Sequence, residues 1–305
     1  MATVRSLGEV GLIARVRRRV RGHPSVLVGI GDDAAVLRQP ARGAGERLLF
    51  ASDMLVEGVH FTRRRVPPRG IGWKALACNV SDIAAMGGRP RWAVVSLGLP
   101  RTTPVAFVDG LYAGLAACAR RFGVRLVGGD TVRAPRIVID VAILGTVSPE
   151  HLVLRRGARV GDVLFVTGRL GGSYRSGRHA RFTPRLAEAQ ALLRRVRPTA
   201  MLDLSDGLAS DLWQLSRASR VTLQVDAARI PVASSAGSVY HALMDGEDFE
   251  LLFAVRPGDA DRVPPRLGRC PVTRIGRVVR AGPGVGLVQL DGRTMRLEPR
   301  GFRHF

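Results

Sequence analysis

The carboxylates of this chain are concentrated in short segments beside glycine, serine or asparagine, although the chain as a whole is strongly basic. It has 25 Asp and Glu residues against 47 Lys and Arg residues, a formal net charge of +22. About half of the acidic residues fall in six segments, at 31–33, 52–57, 79–82, 128–131, 203–211 and 246–250. Both halves of the chain repeat a unit of strand, acidic turn and helix, which predicts an α/β fold with mixed connections.

Two roles compete for these aspartates. For any one segment alone, a turn or a helix N-cap is the commoner role. Six such segments together favour a shared cation site, because Mg²⁺ takes oxygen ligands and accepts substrate phosphates as the rest of its shell.

The length and the turn residues predict two domains, 1–148 and 149–305, since 305 residues suit two compact domains and a turn-rich boundary falls near 148–160. Helices are predicted at 7–21, 71–86, 104–121, 185–196 and from 207 to about 217. Strands are predicted at 48–56, 92–99, 124–128, 136–147, 163–167, 201–204, 221–226, 249–255, 272–279 and 285–290. The arginine-rich stretch 173–183 is predicted as a loop.

Several classes of protein are disfavoured. No run of 18 uncharged apolar residues predicts a transmembrane helix, and the N-terminus lacks the apolar block of a secretory signal. The 3 cysteines are odd in number and far apart, which argues against disulfides and for a reducing cytoplasm. The motifs of Walker-type ATPases, protein kinases and His-Glu-x-x-His metalloproteases are absent.

The positive charge by itself would suit a nucleic-acid-binding protein. However, the excess is nearly all arginine, since Lys74 is the only lysine, and it is spread along the whole chain. Aromatic residues make up only 5% of the sequence, too few for a base-stacking platform. Nucleic acid is therefore not expected as the main partner.

The acidic segments and their neighbours resemble the motifs of the thiamine-monophosphate kinases. The matching stretches cover almost the whole chain in the same order, at 29–37, 52–61, 74–87, 128–131, 155–162, 203–208, 246–253 and 301–305. The wider superfamily includes aminoimidazole ribonucleotide synthetase and selenophosphate synthetase. The resemblance implies two α/β domains with mixed sheets, the first binding ATP and Mg²⁺ and forming a homodimer across a β-barrel-like interface. The second domain would complete the active site.

The activity implied by the resemblance is transfer of a phosphoryl group from ATP to thiamine monophosphate, with several Mg²⁺ ions. The acceptor is a phosphate oxygen that is already anionic at neutral pH, so no acid–base residue is required. Two alternatives stay open: another ATP-dependent synthetase of the superfamily, or a basic nucleic-acid-binding protein. A selenophosphate synthetase would usually carry a reactive cysteine near the N-terminus, and none precedes Cys78.

Site residues follow from the same motifs. The resemblance implies metal ligands at Asp33, Ala51, Ser52, Asp53, Asp82, Asp130, Asp203 and Asp206. It implies ATP contacts at Gly129, Asp130, Arg155 and Ser205, and substrate contacts at His60, Glu247 and Phe302. Asp32 is either a turn residue or a neighbour of the metal site.

Three further residues are interpreted from their surroundings. A solvated helix face explains Lys74 almost as well as a functional role. Asp211 and Glu250 are expected on the surface of a helix and a strand.

The sequence also departs from the family pattern. The family usually carries a further helix between residues 173 and 179, and it usually has threonine, serine and glycine where this chain has Met54, Ala51 and Asp245. We expect the missing helix to affect local packing more than chemistry. Asp245 would add a negative charge near a substrate contact and weaken binding.

Overall fold

The computed structural model describes residues 23–38 and 45–304, together with residues 10, 11, 13, 14 and 17. Those five residues are helical, and the rest of the helix predicted at 7–21 lies outside the described residues. The described chain forms two mixed β-sheets with helices packed against them, which confirms the predicted α/β class.

The first sheet is built from the first half of the chain. Its strands are β1 (Val26–Val28), β2 (Ala35–Arg38), β3 (Arg47–Val56), β4 (Arg89–Leu99), β5 (Arg125–Arg133) and β6 (Val138–Val147). Their order is β1-β2-β3-β6-β4-β5, and only the β4–β5 pair is parallel. Side chains alternate along β6, so that Ile139, Val141 and Ile143 enter the core.

Two long helices cover the inner face of this sheet. They are α1 (Pro68–Ala85) and α2 (Val105–Phe122). The helix numbering starts at Pro68. A proline in its first turn starts α1, and Gly123 in the left-handed region ends α2. The two helices touch at backbone distance, because a Cβ on Gly72 would lie 1.9 Å from the Leu111 carbonyl oxygen.

The second sheet is built from the second half of the chain. Its strands are β7 (Val163–Thr167), β8 (Ala200–Asp203), β9 (Val221–Asp226), β10 (Leu251–Val255), β11 (Arg266–Leu267), β12 (Cys270–Ala281), β13 (Gly284–Val288) and β14 (Thr294–Arg296). The order is β14-β13-β9-β12-β7-β10-β8, with β11 paired to β12. Strands β7 and β10 are buried along their whole length, which explains their continuous apolar sequences.

Three helices pack around the second sheet. They are α3 (Leu186–Leu193), α4 (Leu208–Ser219) and α5 (Val239–Met244). Helix α4 packs against one face of the sheet and forms a hydrophobic core with it. Helix α3 and the end of α1 form a second core with β7 and β10. Helix α1 is therefore enclosed by both halves of the chain. None of the helices among the described residues is long and apolar enough to cross a membrane.

All ten predicted strands are present, with ends shifted by a few residues. The sequence did not reveal β1, β2, β11, β14 or α5, which are short and lack a full period of apolar residues. The segment 173–183 is more ordered than the predicted loop, because it contains a 3₁₀ helix at Arg178–Ala180 and buries His179 and Phe182.

Candidate active site

Three carboxylates from distant parts of the sequence meet where the two halves of the chain touch. Asp33 precedes β2, Asp82 lies in the last turn of α1, and Asp203 ends β8. One oxygen from each lies within 4.8 Å of one from each of the others.

The hydrogen bonds of this group leave room for a cation. The Ser81 hydroxyl donates to Oδ2 of Asp203 at 2.6 Å. Arg155 donates to Oδ1 of Asp33 from Nε at 3.1 Å and from Nη2 at 2.6 Å. Oδ2 of Asp33 is buried and has no hydrogen-bond partner among the described residues. Converging carboxylates with an unpartnered oxygen are a donor set that suits a hard cation such as Mg²⁺.

Burial and mutual repulsion make these carboxylates unusually weak acids. Burial, reinforced by the charge of Asp33, raises the pKa of Asp203 to about 8. Burial, followed by repulsion from Asp140, Asp33 and Asp206, raises the pKa of Asp53 to about 6. Burial also raises the pKa of Asp82 well above its ordinary value, with Asp53, Asp203 and Asp33 adding to the shift. The folded chain therefore holds negative charges together against their repulsion, and bound cations would relieve this cost.

This electrostatic strain predicts a pH-dependent stability. The pKa values of Asp53 and Asp203 rise from 3.8 to about 6 and about 8 on folding, so the folded chain binds more protons than the unfolded chain in that window. Without divalent cations, the free energy of unfolding should therefore fall as pH rises from about 4 to about 8. A fixed Mg²⁺ concentration, about 100 times the dissociation constant at pH 8, should raise Tm by about 4 °C at pH 8 and by much less at pH 5, where protonated carboxyls bind the cation more weakly.

Thermal melts in EDTA and in Mg²⁺ at both pH values measure this effect. The Asp203→Asn variant is the matched control, because it lacks one titrating group and should show a flatter pH dependence in EDTA. An equal gain in Tm from Mg²⁺ at pH 5 and pH 8 would contradict the interpretation.

Arg155 connects the start of the second half to the first acidic segment. Its backbone N–H donates to Oδ1 of Asp32 at 3.1 Å, while its guanidinium is paired with Asp33. Burial is the largest single influence on the pKa of Arg155, and it lowers this pKa. The charges of Asp33 and Asp32 act in the opposite direction and contribute to a net pKa that is raised. Burial and the charge of Asp33 raise the pKa of Asp32 to about 6. Asp32 thus lies beside the three carboxylates, and its side chain positions Arg155 by accepting a hydrogen bond from the Arg155 backbone.

Asp140 is a neighbour of the site that the sequence did not reveal. It lies on β6 opposite Met54, and its Oδ1 accepts a hydrogen bond from the Ser52 hydroxyl at 2.8 Å. Its charge is the second largest cause of the raised pKa of Asp53. Asp140 has no adjacent glycine or serine of the kind that marks the other acidic segments. The only signal in the sequence was an aspartate between Ile139 and Val141 in an alternating apolar strand.

Gly129 and Asp130 lie on β5, at the edge of the first sheet. Gly129 has φ of +155°, and a Cβ there would lie 1.8 Å from the Val95 carbonyl oxygen, so no other residue fits. The strand register places Asp130 opposite Ser96, and Ser96 opposite Asp140. Asp130 is exposed, and its Oδ1 accepts a hydrogen bond from the Thr131 N–H at 2.8 Å. It therefore lies in a row with Asp140, apart from the three converging carboxylates.

The loop after β8 carries Ser205 and Asp206. The Ser205 hydroxyl lies 3.4 Å from Oδ1 of Asp206. The backbone N–H of Asp206 donates to Oδ2 of Asp211 at 3.2 Å, and its carbonyl accepts from the Phe302 N–H at 3.0 Å. The C-terminal tail is thereby fastened to an acidic segment.

Three rings gather beside this tail. The ring centroids of His60 and Phe302 are 6.2 Å apart, and His304 lies 5.1 Å from His60 and 4.7 Å from Phe302. His60 belongs to the turn that follows β3, so the tail closes over residues of the first half. The motif residues His60 and Phe302 are thus neighbours in space.

Glu247 lies near enough to His60 for its charge to act on the His60 ring, and it has a backbone φ of +64°. It forms an ion pair with Lys74, and its Oε2 lies 3.2 Å from Nδ1 of His179. Burial raises the pKa of Glu247, but the hydrogen bond from His179 and the charge of Lys74 outweigh it, so the net shift is downward.

The surface positions expected for Asp211 and Glu250 are wrong, as is a solvated helix face for Lys74, since all three side chains are buried. Asp211 holds the Asp206 loop, and Glu250 accepts hydrogen bonds from Thr167 at 2.7 Å and from Nε of Arg185 at 2.6 Å. Periodicity predicts that a helix or an outer strand leaves one face exposed. Here residues of the second half of the chain cover the faces that carry these three side chains.

Asp245 is held by its own neighbours. Its Oδ2 accepts from the Gly172 N–H at 2.8 Å, and its Oδ1 lies 3.0 Å from Nδ1 of His241. The expected effect of its charge on substrate binding stays a prediction.

Comparisons with known proteins agree on one group. The family model of the AIR synthase related protein N-terminal domain matches residues 31–147, and that of the C-terminal domain matches residues 159–288. The thiamine-monophosphate kinase of Rhodopirellula baltica is 38% identical over 311 residues, covering 97% of each chain. That of Bacillus subtilis is 34% identical, covering 98% of this chain and 100% of the relative.

Solved structures give the same result. The structure described as AaThiL complexed with AMPPCP and TMP has a TM-score of 0.87 and 32% identity, covering 100% of this chain and 99% of that one. A structure of the hydrogenase maturation protein HypE in complex with ATP, at 21% identity and a TM-score of 0.70, shares the fold.

Proposed function

Because the chain belongs to the thiamine-monophosphate kinases of the AIR synthase related family, we propose that it transfers the terminal phosphoryl group of ATP to the phosphate of thiamine monophosphate. The product would be thiamine diphosphate. The observation that carries the proposal is the convergence of Asp33, Asp82 and Asp203, whose oxygens lie within 4.8 Å of one another. The similar structure with AMPPCP, an ATP analogue, and TMP supports the same pair of substrates.

The chemistry needs charge neutralisation rather than a base. The attacking oxygen of the acceptor phosphate is anionic at neutral pH, and the obstacle is repulsion between two polyanions. Mg²⁺ ions, when bound, supply the positive charge that lets the two phosphate chains approach. The residues that would hold them are Asp33, Ala51, Ser52, Asp53, Asp82, Asp130, Asp203 and Asp206.

Arg155, Ser205, Gly129 and Asp130 form the nucleotide end of the proposed site. Arg155 is held by Asp32 and Asp33, so its guanidinium contributes a fixed positive charge beside the carboxylates. Gly129 precedes Asp130 on the edge strand β5, where the Val95 carbonyl oxygen leaves no room for a side chain.

His60, Glu247 and Phe302 form the acceptor end. Thiamine monophosphate has a cationic thiazolium ring and an aminopyrimidine. The carboxylate of Glu247 can accept a hydrogen bond from the amino group, and the ring of Phe302, which is 41% exposed, can stack on a heterocycle.

The direct test is product formation. With ATP, Mg²⁺ and thiamine monophosphate, ADP and thiamine diphosphate should appear in equal amounts, and EDTA should stop both until Mg²⁺ is restored in excess. Failure to form thiamine diphosphate under these conditions would reject the proposed function. Steep salt-dependent binding to DNA without any turnover would favour the nucleic-acid alternative.

We also infer two domains, 1–148 and 149–305, and a homodimer formed by the first. The outward face of the first sheet supports the dimer, because Phe50, Trp92, Val94 and Val127 are exposed there. A reducing cytoplasmic setting is supported by the three cysteines, which are free and buried.

The dimer predicts the effect of charge on this face. Replacing Val94 and Val127 together by glutamate should convert a dimer into a single chain of 32.9 kDa in light scattering, because buried unpaired charges are costly. Leu290, 82% exposed in the second half, provides the control Leu290→Glu, which should stay dimeric. A wild-type chain that is monomeric at all concentrations would contradict the inference.

A further inference from the structure

The only lysine of the chain is fully buried, beside the proposed acceptor site. Lys74 lies on α1, two turns before Asp82, and none of its side chain is exposed. Every other basic residue among the 47 Lys and Arg residues is arginine. A buried ammonium is costly unless it is paired and hydrogen-bonded, so its surroundings must compensate for the lost hydration.

Three partners surround the ammonium. Nζ of Lys74 donates to the His60 carbonyl oxygen at 2.8 Å, forms an ion pair with Oε1 of Glu247, and lies 3.1 Å from Nδ1 of His179. An ammonium has three N–H donors, and these three partners satisfy all of them when Nδ1 of His179 carries no proton. Nδ1 of His179 also lies 3.2 Å from Oε2 of Glu247, so the tautomer with a proton on Nδ1 donates to Glu247, whereas the other tautomer accepts from Lys74.

These contacts join the acceptor residues of both halves of the chain. His60 comes from the first half, whereas Glu247 and His179 come from the second. The backbone of Glu247 is fixed as well, since its N–H donates to the Ser205 carbonyl at 2.7 Å and its carbonyl accepts from the Ser173 hydroxyl at 2.7 Å. The single ammonium thus sets the distance between the His60 turn and the Glu247 carboxylate.

We propose that Lys74, together with His179, is a positioning residue that holds Glu247 against the His60 turn so that the acceptor's cationic, amino-bearing heterocycle is recognised. This inference rests on the proposed function, because it assigns Glu247 and His60 to the acceptor end. Lys74 does not itself touch the acceptor; it acts through Glu247 and the His60 backbone.

The geometry also explains why this basic residue is a lysine. An ammonium is compact and directs its donors to three points around one atom, whereas a guanidinium is planar, larger and directs its donors in a fork. The Lys74 site is closed on all sides, so arginine would be displaced or would push Glu247 away. Lys74→Arg therefore keeps the charge and loses the positioning.

The test compares Lys74→Met with Lys74→Arg in the full chain, measuring kcat, the KM for thiamine monophosphate and the KM for ATP. Both variants should raise the KM for thiamine monophosphate about 10–100-fold, the usual range for losing hydrogen bonds to a charged group. The KM for ATP should change by less than about threefold, because the nucleotide end does not contact Lys74. In a Glu247→Gln background, Lys74→Met should add little, since the pair acts as one unit.

Ser216→Ala is the control for a purely structural role. Ser216 is fully buried in α4, where its hydroxyl donates to the Val221 carbonyl at 2.7 Å, remote from the acceptor residues. It should lower Tm without changing the ratio of the two KM values.

A spectroscopic measurement uses the wild-type chain and needs no variant to fold. Labelling lysine with ¹⁵N gives one side-chain ammonium signal, because the chain has one lysine. Thiamine monophosphate should shift this signal, and ATP without the acceptor should leave it in place.

The outcomes separate the two proposals. If the wild-type chain forms no thiamine diphosphate, the proposed function fails. If it forms product but Lys74→Met and Lys74→Arg change both KM values equally or change only Tm, the positioning role is wrong. An ammonium signal that does not respond to thiamine monophosphate in an active chain would also overturn it.

Discussion

Replacing Asp82 or Asp203 by asparagine is expected to lower kcat by about 10²–10³ while the fold stays intact, the usual effect of removing one group that stabilises charge in a transition state. Asparagine keeps the shape of aspartate and removes one negative charge. The oxygens of Asp33, Asp82 and Asp203 lie within 4.8 Å of one another, so the missing charge would weaken cation binding at the reacting phosphates.

Stability should move in the opposite direction. Burial and the other carboxylates raise the pKa values of Asp82 and Asp203, so removing either charge relieves repulsion in the cation-free chain. We expect each variant to melt at or above the wild-type temperature in EDTA at pH 8. A loss of activity combined with a gain in stability is the signature of a functional charge.

A turn aspartate supplies the matched control. Oδ1 of Asp291 accepts a hydrogen bond from the Arg293 N–H at 2.9 Å, a role that asparagine fills almost as well. Asp291→Asn should therefore leave kcat unchanged. Asp130→Asn distinguishes the two roles most sharply, because Asp130 makes the same kind of local bond to Thr131 and is also proposed as a ligand. Near-wild-type kcat in Asp82→Asn, Asp130→Asn and Asp203→Asn would return these residues to a structural role.

Free thiamine is expected to be phosphorylated about 10²–10⁴-fold more slowly than thiamine monophosphate, which is the usual contribution of a general base. A neutral hydroxyl must lose a proton during attack, whereas a phosphate oxygen is already anionic. The candidate bases near the acceptor end are engaged elsewhere. Nδ1 of His60 accepts a hydrogen bond from the Val56 N–H at 3.0 Å, and His179 is tied to Lys74 and Glu247.

The protonation state of His60 also argues against its acting as a general base. Burial, together with the positive charge of Lys74, lowers the pKa of His60, so the ring is neutral near pH 7. With Nδ1 accepting, the remaining ring nitrogen carries the proton and can only donate. The measurement is the rate of phosphoryl transfer to each acceptor at the same pH and Mg²⁺ concentration. Comparable turnover on free thiamine would show that the acceptor is wrongly assigned.

The sequence alone predicted the ten main strands, four helices at 71–86, 104–121, 185–196 and 207–217, and the family. These features are local: apolar periodicity reports which face of an element is buried, and glycine beside aspartate marks the turns after the strands. The order of the motifs along the chain also predicted the activity and most of the candidate residues. This was possible because each motif is a short continuous stretch of sequence.

Only the tertiary structure decided how these stretches meet. Asp33, Asp82 and Asp203 converge because α1 is enclosed by both halves of the chain, which no local pattern encodes. The same enclosure buries Lys74, for which the sequence had left a solvated helix face open. Asp211 and Glu250, which the sequence had placed on surfaces, are buried as well. Asp140 joined the site through strand register alone. Periodicity measures how an element faces its nearest neighbour, whereas the burial of a charge depends on every element that packs around it and on whether they supply its partners.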